Sequence, residues 1–358
     1  MSASWPSSAP APTLLVLPTG IGCEVGGFAG DALPSARLLA AASGCLITHP
    51  NVMNGASLYW SDQRIHYVEG YALDRFASGD WSLRPVRRQR IGLLLDAGIE
   101  PELRQRHLQV ADGCRASLGL EIGPVVTTEA PLGVHLELGE SGISWGTLDR
   151  PDALLRAGER LKAAGATAIA VVARFPEDPE SEALAAYRHG TGVDALAGAE
   201  AVISHLLVRH LQMPCAHAPA LAPLPLDPQL DPRAAGEELG YTFLACVLVG
   251  LSRAPNLVPA AAVAAAQDLG VDHLAAVVAP QGALGGEAVL ACLERQVPLI
   301  TVANPCLLSV GAQELGLPAC TVLAASSYAE AAGFVLALRE GVSPAALMRP
   351  ISPLQELS

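Results

Sequence analysis

The chain has 358 residues, of which 51% are hydrophobic and only 16% are charged, and its formal net charge is −13. This length and composition indicate a globular protein with a large core and argue against intrinsic disorder. The negative charge disfavours binding to nucleic acid, because an acidic surface repels phosphate backbones.

Residues 1–12 are predicted to be a disordered tail. They are not predicted to be a signal peptide, because they lack its basic and apolar regions. The sequence has no run of 18 uncharged apolar residues, so no membrane span is predicted. The eight cysteines include no C-x-x-C pair, which disfavours a zinc ribbon and suits a reducing compartment. We therefore expect a cytoplasmic protein that does not associate with membranes. No sequence feature decides between a monomer and a homo-oligomer.

The first predicted unit is a strand, a glycine-rich loop, a helix and a second strand. Apolar runs at 14–17 and 45–48 predict the strands, and the pattern at 31–42 predicts the helix. Polar residues stand in the loop and after the second strand. Because ligands of α/β sheets bind beyond the carboxyl ends of the strands, we predict that these residues share one pocket. They are Gly20, Gly22, Gly26 and Gly27 in the loop and His49, Asn51 and Asn54 after the strand.

Short apolar runs continue to alternate with helical patterns along the rest of the chain. Further strands are predicted at 91–95, 168–173, 243–249, 275–279 and 299–302, and helices at 101–118, 151–164, 181–187, 195–211 and 286–295. The alternation predicts a doubly wound α/β fold with a mostly parallel sheet and helices on both faces. The pattern at 123–146 predicts a hairpin, and the proline-rich stretch at 219–232 predicts a long connection.

Two similar α/β lobes are expected, an N-terminal one at 13–150 and a C-terminal one at 151–358. The second contains another strand, glycine loop and helix, with Gly285 and Gly286 in the loop. The similarity between the two units is explained equally by a duplication of one half of the chain and by the common βαβ pattern. Neither glycine loop has a complete dinucleotide-binding fingerprint, so the cofactor stays undetermined.

Five residues are candidates for catalysis. Glu69 in HYVEGY is a candidate general base if its pocket is dry, although a salt bridge explains it as well. His205 lies on a predicted helix, and Cys215 and His217 follow it two positions apart. A covalent thiol, proton transfer by His49, His205 or His217, and purely structural roles are all compatible with this pattern. The histidines lack metal-site spacing, and no metal is predicted.

Arginine is the expected ligand for an anion, because Lys162 is the single lysine beside 21 arginines. Arg174 and Arg253 follow apolar runs that are predicted as strands, and Arg188 precedes a glycine loop. We expect at least two of the three to converge on one cleft. The alternative is that each pairs with a nearby carboxylate at the edge of the sheet.

Four stretches carry a family resemblance: PTGIGCEVGGFAGDALPSARLLA, LITHPNVMNGA, YVEGYALDRF and APQGALGGEAVLA. Together they resemble an uncharacterised family that is common in cyanobacteria and has plastid relatives. The resemblance covers nearly the whole chain after the tail and implies a soluble cytosolic protein. It implies no activity and no catalytic residue.

The sequence therefore predicts an enzyme of hydrolase or lyase type that acts on a small anionic metabolite, a carboxylate or a phosphate. The absence of a dinucleotide fingerprint disfavours a redox enzyme. The alternative is a non-catalytic protein that binds or senses a metabolite on the same fold.

Overall fold

The protein is described here by a computed structural model that covers residues 9–139, 142–178, 180–262, 265–307, 309–318, 321–351 and 353–354. The strands are β1 (Thr13–Leu15), β2 (Leu46–Thr48), β3 (Ile65–Tyr67), β4 (Trp81–Arg84), β5 (Ile91–Leu95), β6 (Ile122–Thr127), β7 (Val134–Leu138), β8 (Ser144–Leu148), β9 (Ala168–Arg174), β10 (Cys215–Ala220), β11 (Asn256–Pro259), β12 (Ala276–Pro280), β13 (Leu299–Val302) and β14 (Val322–Ala325). The helices are α1 (Leu33–Ser43), α2 (Pro50–Met53), α3 (Gly70–Ala77), α4 (Pro101–Leu118), α5 (Pro151–Ala163), α6 (Glu182–Arg188), α7 (Ala197–Leu211), α8 (Pro232–Glu238), α9 (Leu244–Leu251), α10 (Glu287–Glu294) and α11 (Tyr328–Arg339).

Two parallel sheets form the centre of the fold. The first has six strands in the order β14-β13-β12-β1-β2-β3, and the second has four in the order β10-β9-β5-β6. All strand pairs within these two sheets are parallel. In the six-stranded sheet, the chain proceeds outward from β1 to β3 on one side and from β12 to β14 on the other. The position between β1 and β12 is therefore the switch point of a doubly wound sheet. The predicted α/β fold with mostly parallel strands is thus confirmed.

Helices cover both faces of the sheets. Successive residues of β1 and of β5 alternate between two core clusters, because side chains of a strand point to opposite faces. One cluster joins the sheets to α1, α4, α9 and α11, and the other joins them to α3, α5, α7 and α10. The strands are therefore buried on both sides, which explains why they appear in the sequence as continuous apolar runs.

The predicted strand at 243–249 is wrong, because this segment is helix α9. Six of its eight residues are buried, and four of these belong to the core cluster that covers β9 and β10, namely Leu244, Val247, Leu248 and Leu251. A short, wholly apolar run has no periodicity that separates a buried helix from a buried strand. Arg253 therefore follows a helix and not a strand.

The two sheets group the chain differently from the predicted lobes at 13–150 and 151–358. The six-stranded sheet joins β1, β2 and β3 to β12, β13 and β14, and the four-stranded sheet joins β5 and β6 to β9 and β10. The two glycine-containing units that resemble each other lie on either side of the switch point in a single sheet. In the described ranges, no helix combines the length and the apolar character needed to cross a bilayer.

The predicted hairpin within 123–146 is formed by β7 and β8, which pair in antiparallel fashion and pack on α7. Gly198, at the start of α7, touches the backbone of Trp145 so closely that an added Cβ would collide with it. Gly198 also donates its N–H to the hydroxyl of Ser144 at 3.1 Å. A glycine is therefore required where the hairpin meets the helix.

We expect Gly198→Ala to lower the free energy of unfolding by about 1–3 kcal/mol, because backbone atoms must shift to admit the methyl group. The matched control is Gly333→Ala in α11, where an added Cβ meets nothing within 4 Å. That change should raise stability by about 0.5–1 kcal/mol, since alanine is the better helix former. Urea unfolding of both variants checks this, and a stability change of the same sign in both would contradict it.

Candidate functional site

A cavity of about 440 Å³ is lined by residues that follow strands of both parallel sheets. Thr19 follows β1, His49 follows β2 and Glu69 follows β3, while Pro176 follows β9 and Leu221 follows β10. Parallel strands present their carboxyl ends at one edge of a sheet, so the topology brings these residues together. The other charged or polar lining residues are Asn51, Asn54, Glu177, Asp178, Ser181, Tyr187, Arg188, Asp194, Glu200, Ser204, His205, His217, Glu237 and Glu238.

Apolar side chains form much of the remaining wall. Leu184 belongs to α6, and Leu224 belongs to the proline-rich segment. Leu196 is the residue before α7, and Phe243 is the residue before α9. Of the proline-rich segment predicted as a long connection at 219–232, residues 221–231 form the connection, because Pro219 and Ala220 end β10 and Pro232 begins α8. The first half of this connection closes one side of the cavity. A mostly apolar cavity with a few convergent polar groups is typical of a small-molecule site.

Glu69 and His205 form the first of two histidine–carboxylate pairs in this cavity. Glu69 is only 5% exposed and caps the N-terminus of α3, where its Oε2 accepts the N–H groups of Tyr71 and Ala72 at 2.9 and 3.3 Å. Its Oε1 lies 3.0 Å from Nε2 of His205. The capping bonds fix the carboxylate, and the fixed carboxylate orients the imidazole.

The pKa of His205 lies above its usual value. Burial lowers this pKa, but the hydrogen bond that the ring donates to Glu69 and the charges of Glu69 and Asp74 more than offset the burial. The imidazole is therefore biased towards its protonated form and can donate a proton to a ligand. Gly70, which also lines the cavity, leaves the room that the ring occupies, because a Cβ there would lie 2.8 Å from Nε2 of His205.

The second pair is formed by Glu200 and His217. Nε2 of His217 on β10 lies 3.4 Å from Oε2 of Glu200, and its Nδ1 lies 3.1 Å from the Ser204 hydroxyl. Glu200 and Ser204 are four residues apart on α7, so they face the same ring. The imidazole is held by a partner at each nitrogen, which places the Glu200 carboxylate at a defined point of the wall.

His49 has the opposite protonation tendency to His205. It is 8% exposed, and its Nε2 accepts the N–H of Leu17 at 3.1 Å. Burial lowers the pKa of His49 to about 4, and Nε2 can accept the Leu17 N–H only while it carries no proton. The ring is therefore neutral at pH 7, and its proton is on Nδ1 because Nε2 acts as an acceptor.

Carboxyl groups are crowded on the side of the cavity formed by α7 and α8. Burial and the charges of Glu200 and Glu237 raise the pKa of Asp194 well above its usual value. Burial also raises the pKa of Glu237 to about 7, although Glu237 Oε2 accepts hydrogen bonds from Tyr187 Oη at 2.6 Å and from the Ala29 N–H at 3.0 Å. Because neighbouring carboxylates cannot all ionise at low cost, part of this group holds protons at neutral pH.

The glycine-rich loop after β1 forms the wall through Thr19 and Ala29, whereas its glycines shape the loop. Asn51 donates through Nδ2 to the carbonyl of Gly26 at 3.0 Å, and its own carbonyl accepts the N–H of Gly30 at 2.7 Å. His49, Asn51 and Asn54 therefore line the same cavity as Thr19 and Ala29 of this loop, whereas Gly20, Gly22, Gly26 and Gly27 are not among its lining residues.

The other predicted glycines have separate locations. Gly20 lies near Ser144 and Ala197, and Gly22 and Gly27 line a second cleft described below. Gly285 packs against Val310, and Gly286 is the residue before α10; neither is among the cavity-lining residues.

The three candidate arginines do not converge. Arg188 lines the cavity but is 8% exposed and donates from Nε to Glu238 at 2.9 Å. Arg174 pairs with Glu100 at 2.9 Å and with Glu177 at 3.2 Å, so it lies behind the wall. Arg253 is exposed after α9 and does not line the cavity. The expectation that at least two would share a cleft is not met, because carboxylates at the edge of the sheet hold Arg174 and the helical α9 displaces Arg253.

Cys215 also lies apart from the cavity. It shares β10 with His217, but it is fully buried in the core cluster, and burial raises the pKa of its thiol well above the usual value. A thiol in this environment is a poor nucleophile. Within the residues that the structure describes, no group of three or more His, Cys, Asp or Glu side chains could hold a metal ion.

Several lining residues were not predicted from the sequence. Glu237 and Glu238 lie on α8, a short helix after the proline-rich segment, and Ser204 is in the middle of α7. A pattern of i and i+4 polar residues on α7, namely Glu200 and Ser204, was the available signal for the second pair. The glutamates of α8 have no comparable signal, because a surface helix has the same polar composition.

Comparison with known families assigns the chain. A profile described as a protein of unknown function, DUF3326, matches residues 12–348. The chain belongs to the DUF3326 family. One relative, described as an uncharacterized lipoprotein of Synechococcus sp. (strain ATCC 27144 / PCC 6301 / SAUG 1402/1), is 57% identical over 336 residues, which cover 94% of this chain and 92% of the relative. No solved structure matches. The expected resemblance to an uncharacterised cyanobacterial family is confirmed.

In this DUF3326 protein, Glu69→Gln should lower the pKa of His205, because the neutral amide no longer favours the imidazolium ion. Nuclear magnetic resonance titration of the histidine ring protons measures it. His210, which pairs with Glu159 at 2.7 Å on the exposed side of α7, is the internal control. A His205 titration midpoint that is the same with and without Glu69 would contradict the pairing.

His49 should make the fold less stable in acid. The unfolded chain binds a proton at this histidine near pH 6.5 and the folded chain only near pH 4, so stability should fall as the pH decreases through this window. The loss is at most about 3.5 kcal/mol, because one pKa unit corresponds to about 1.4 kcal/mol. In His49→Gln, which keeps an acceptor for Leu17, the stability loss between pH 6.5 and pH 4 should be smaller. Equal losses in urea unfolding of the two proteins would rule this out.

Proposed function

We propose that this protein is an enzyme that performs general acid–base catalysis on a small metabolite in the cavity, by a hydrolase or lyase type of reaction. The observation that carries the proposal is the Glu69–His205 pair, in which a buried carboxylate that caps α3 holds an imidazole at the cavity wall and raises the pKa of that imidazole. Perturbed pKa values that arise from a specific charge partner inside a cavity are typical of catalytic sites.

His205 acts as the general acid. In the imidazolium form, Nε2–H donates to Glu69 and the Nδ1–H group is left for the leaving group of the substrate. Glu200, positioned by His217, acts as the general base, because its carboxylate faces the same cavity. An acid and a base with opposite protonation states are the requirement for both hydrolysis and elimination.

The charge of the cavity wall bears on the substrate. Seven of the lining residues are Asp or Glu, whereas Arg188 is the single arginine among them and is already paired with Glu238. We propose that the substrate has amino or hydroxyl groups which donate to Asp194, Glu200 and Glu237, and that any anionic group binds at Arg188 or protonated His205. The apolar wall suits the carbon skeleton of the same molecule.

A non-catalytic, metabolite-binding role is the alternative. It is favoured by the pairing of cavity groups with each other, such as Tyr187 with Glu237 and Arg188 with Glu238, which would make a rigid binding wall. In this case the cavity binds its ligand without turnover.

We place the protein in the cytoplasm. The seven cysteines of the described chain are free thiols, which suits a reducing compartment. The Synechococcus relative is described as a lipoprotein. If this protein shared that property, it would be located at a membrane. Fractionation of cells that express the tagged full-length chain separates the two locations.

The enzymatic proposal is tested with the purified protein and a cyanobacterial metabolite extract, analysed by mass spectrometry before and after incubation. We expect at least one small metabolite to be consumed by the native protein, and His205→Asn and Glu69→Gln to slow its consumption by about 10²–10⁴-fold. His210→Asn, which removes the exposed histidine of the same helix, is the matched control and should retain full activity. Turnover that persists in His205→Asn overturns the role of this residue, and a ligand that binds without turnover supports the alternative.

A further inference from the structure

Cys23 and Cys306 lie together at a second cleft, away from the cavity described above. Their Sγ atoms are 2.9 Å apart although 283 positions separate them in the chain. Cys23 belongs to the glycine-rich loop after β1 and Cys306 follows β13, on the two sides of the switch point of the six-stranded sheet. Cys23 is buried and Cys306 is partly exposed, and both line an open cleft of about 530 Å³ beside Arg233.

The backbone of the two segments holds this pair in place. Glu24 donates its N–H to the carbonyl of Pro305 at 2.9 Å, and Leu307 donates its N–H to the carbonyl of Ile21 at 3.0 Å. These bonds tie each cysteine-bearing segment to the other on both sides of the thiols. The short distance between the sulfur atoms is therefore a consequence of the fold and does not depend on two freely rotating side chains.

A side chain adds a third connection. Asn304 is 4% exposed, and its Oδ1 accepts the N–H of Val25 at 2.9 Å while its Nδ2 donates to the Val25 carbonyl at 2.8 Å. The same Nδ2 donates to the hydroxyl of Tyr328 at 2.9 Å. This buried amide clamps the loop to the segment after β13 and limits how far the two thiols can separate.

We propose that Cys23 and Cys306 form a redox site, the dithiol site, which a peroxide converts reversibly into an intramolecular disulfide. The Cys306 thiolate attacks one oxygen of the peroxide; the O–O bond breaks, and a sulfenic acid and one molecule of water result. The Cys23 sulfur then attacks the sulfenic sulfur, forms the S–S bond and releases the second water. Two thiols lose two electrons and two protons in total, and the peroxide is reduced to water.

The order of the two steps follows from the environments of the thiols. The hydrogen bond from Cys23 lowers the pKa of Cys306, and Cys306 is the more exposed of the two. The same contact, followed by burial, raises the pKa of Cys23. An accessible thiol with a lowered pKa reacts first with an oxidant, and a neighbouring thiol resolves the product.

The remaining cysteines of the described chain provide the contrast. Burial raises the pKa of the Cys45, Cys114, Cys215, Cys246 and Cys292 thiols, and each of these cysteines lies in the protein interior. A buried thiol with a raised pKa reacts slowly with peroxide. They serve as internal controls in one and the same sample.

The test uses the reduced full-length protein, titrated with hydrogen peroxide. After quenching, free thiols are blocked with a maleimide in denaturant, and peptides are mapped by mass spectrometry. We expect the mass of two hydrogens to be lost, a single disulfide between the peptides that contain Cys23 and Cys306, and full reversal by dithiothreitol. A Cys306 that is oxidised only to the sulfinic acid, or a disulfide distributed randomly among the eight cysteines, overturns the proposal.

Two variants separate the steps. In Cys23→Ser, Cys306 should stop at the sulfenic acid, which dimedone traps, and no intramolecular disulfide should form. Cys292→Ser, which removes a single buried cysteine, is the matched control and should form the Cys23–Cys306 disulfide like the native protein. If Cys23→Ser does not fold, the peptide map of the native protein still decides. The result is independent of the acid–base activity proposed above.

Discussion

The close packing of the glycine-rich loop against the segment after β2 is the contact on which both sites depend. Gly30 has a φ of +86°, and a Cβ at this position would collide with the carbonyl oxygen of Asn54. Only glycine fits there, because the left-handed backbone and the missing side chain are needed at the same time. The bond from the Gly30 N–H to Asn51 and the bond from Asn51 Nδ2 to Gly26 then fix the loop along its second half.

The glycine-rich loop contacts the cavity on one side and the dithiol site on the other. On one side, Ala29 donates to Glu237 and the ring of Phe28 stacks on Tyr187 at 4.4 Å, so the loop closes the wall of the cavity. On the other side, Cys23 meets Cys306 through the backbone pairing described above. A covalent bond at Cys23 would restrict the same loop that holds Glu237. The switch point between β1 and β12 is where a doubly wound sheet opens a crevice, which explains why both sites lie near it.

Most of the fold was predictable from the sequence, and the failures have a physical cause. The strands β1, β2, β5, β9, β12 and β13 and the helices α4, α5 and α7 follow from apolar runs and from helical periodicity, because both sheet faces are covered. Helix α9 was missed, since it is apolar on every side. The short strand β3 was missed as well, and it is the strand that positions Glu69.

The site was predictable where one chain segment determines it and unpredictable where several segments must meet. His49, Asn51 and Asn54 follow from the rule for strand ends, which needs only a local pattern. The pairing of Glu69 with His205 depends on the way α7 packs beside α3, and no local pattern contains that information. The arginines illustrate the opposite error: Arg174 does end a strand, but its guanidinium pairs with Glu100 and Glu177 and is not among the lining residues of the cavity.

The crowding of carboxyl groups links the occupancy of the cavity to its protonation. Asp194 and Glu237 hold protons more tightly than isolated carboxyl groups, because each is enclosed and near Glu200. A cationic group in the cavity would supply the missing counter-charge, lower both pKa values and release protons. Binding of such a ligand would therefore weaken as the pH falls and these carboxyl groups become protonated. An anion would have the reverse effect, since it adds to the repulsion, so the direction of proton release distinguishes the two classes of ligand even before the reaction is known.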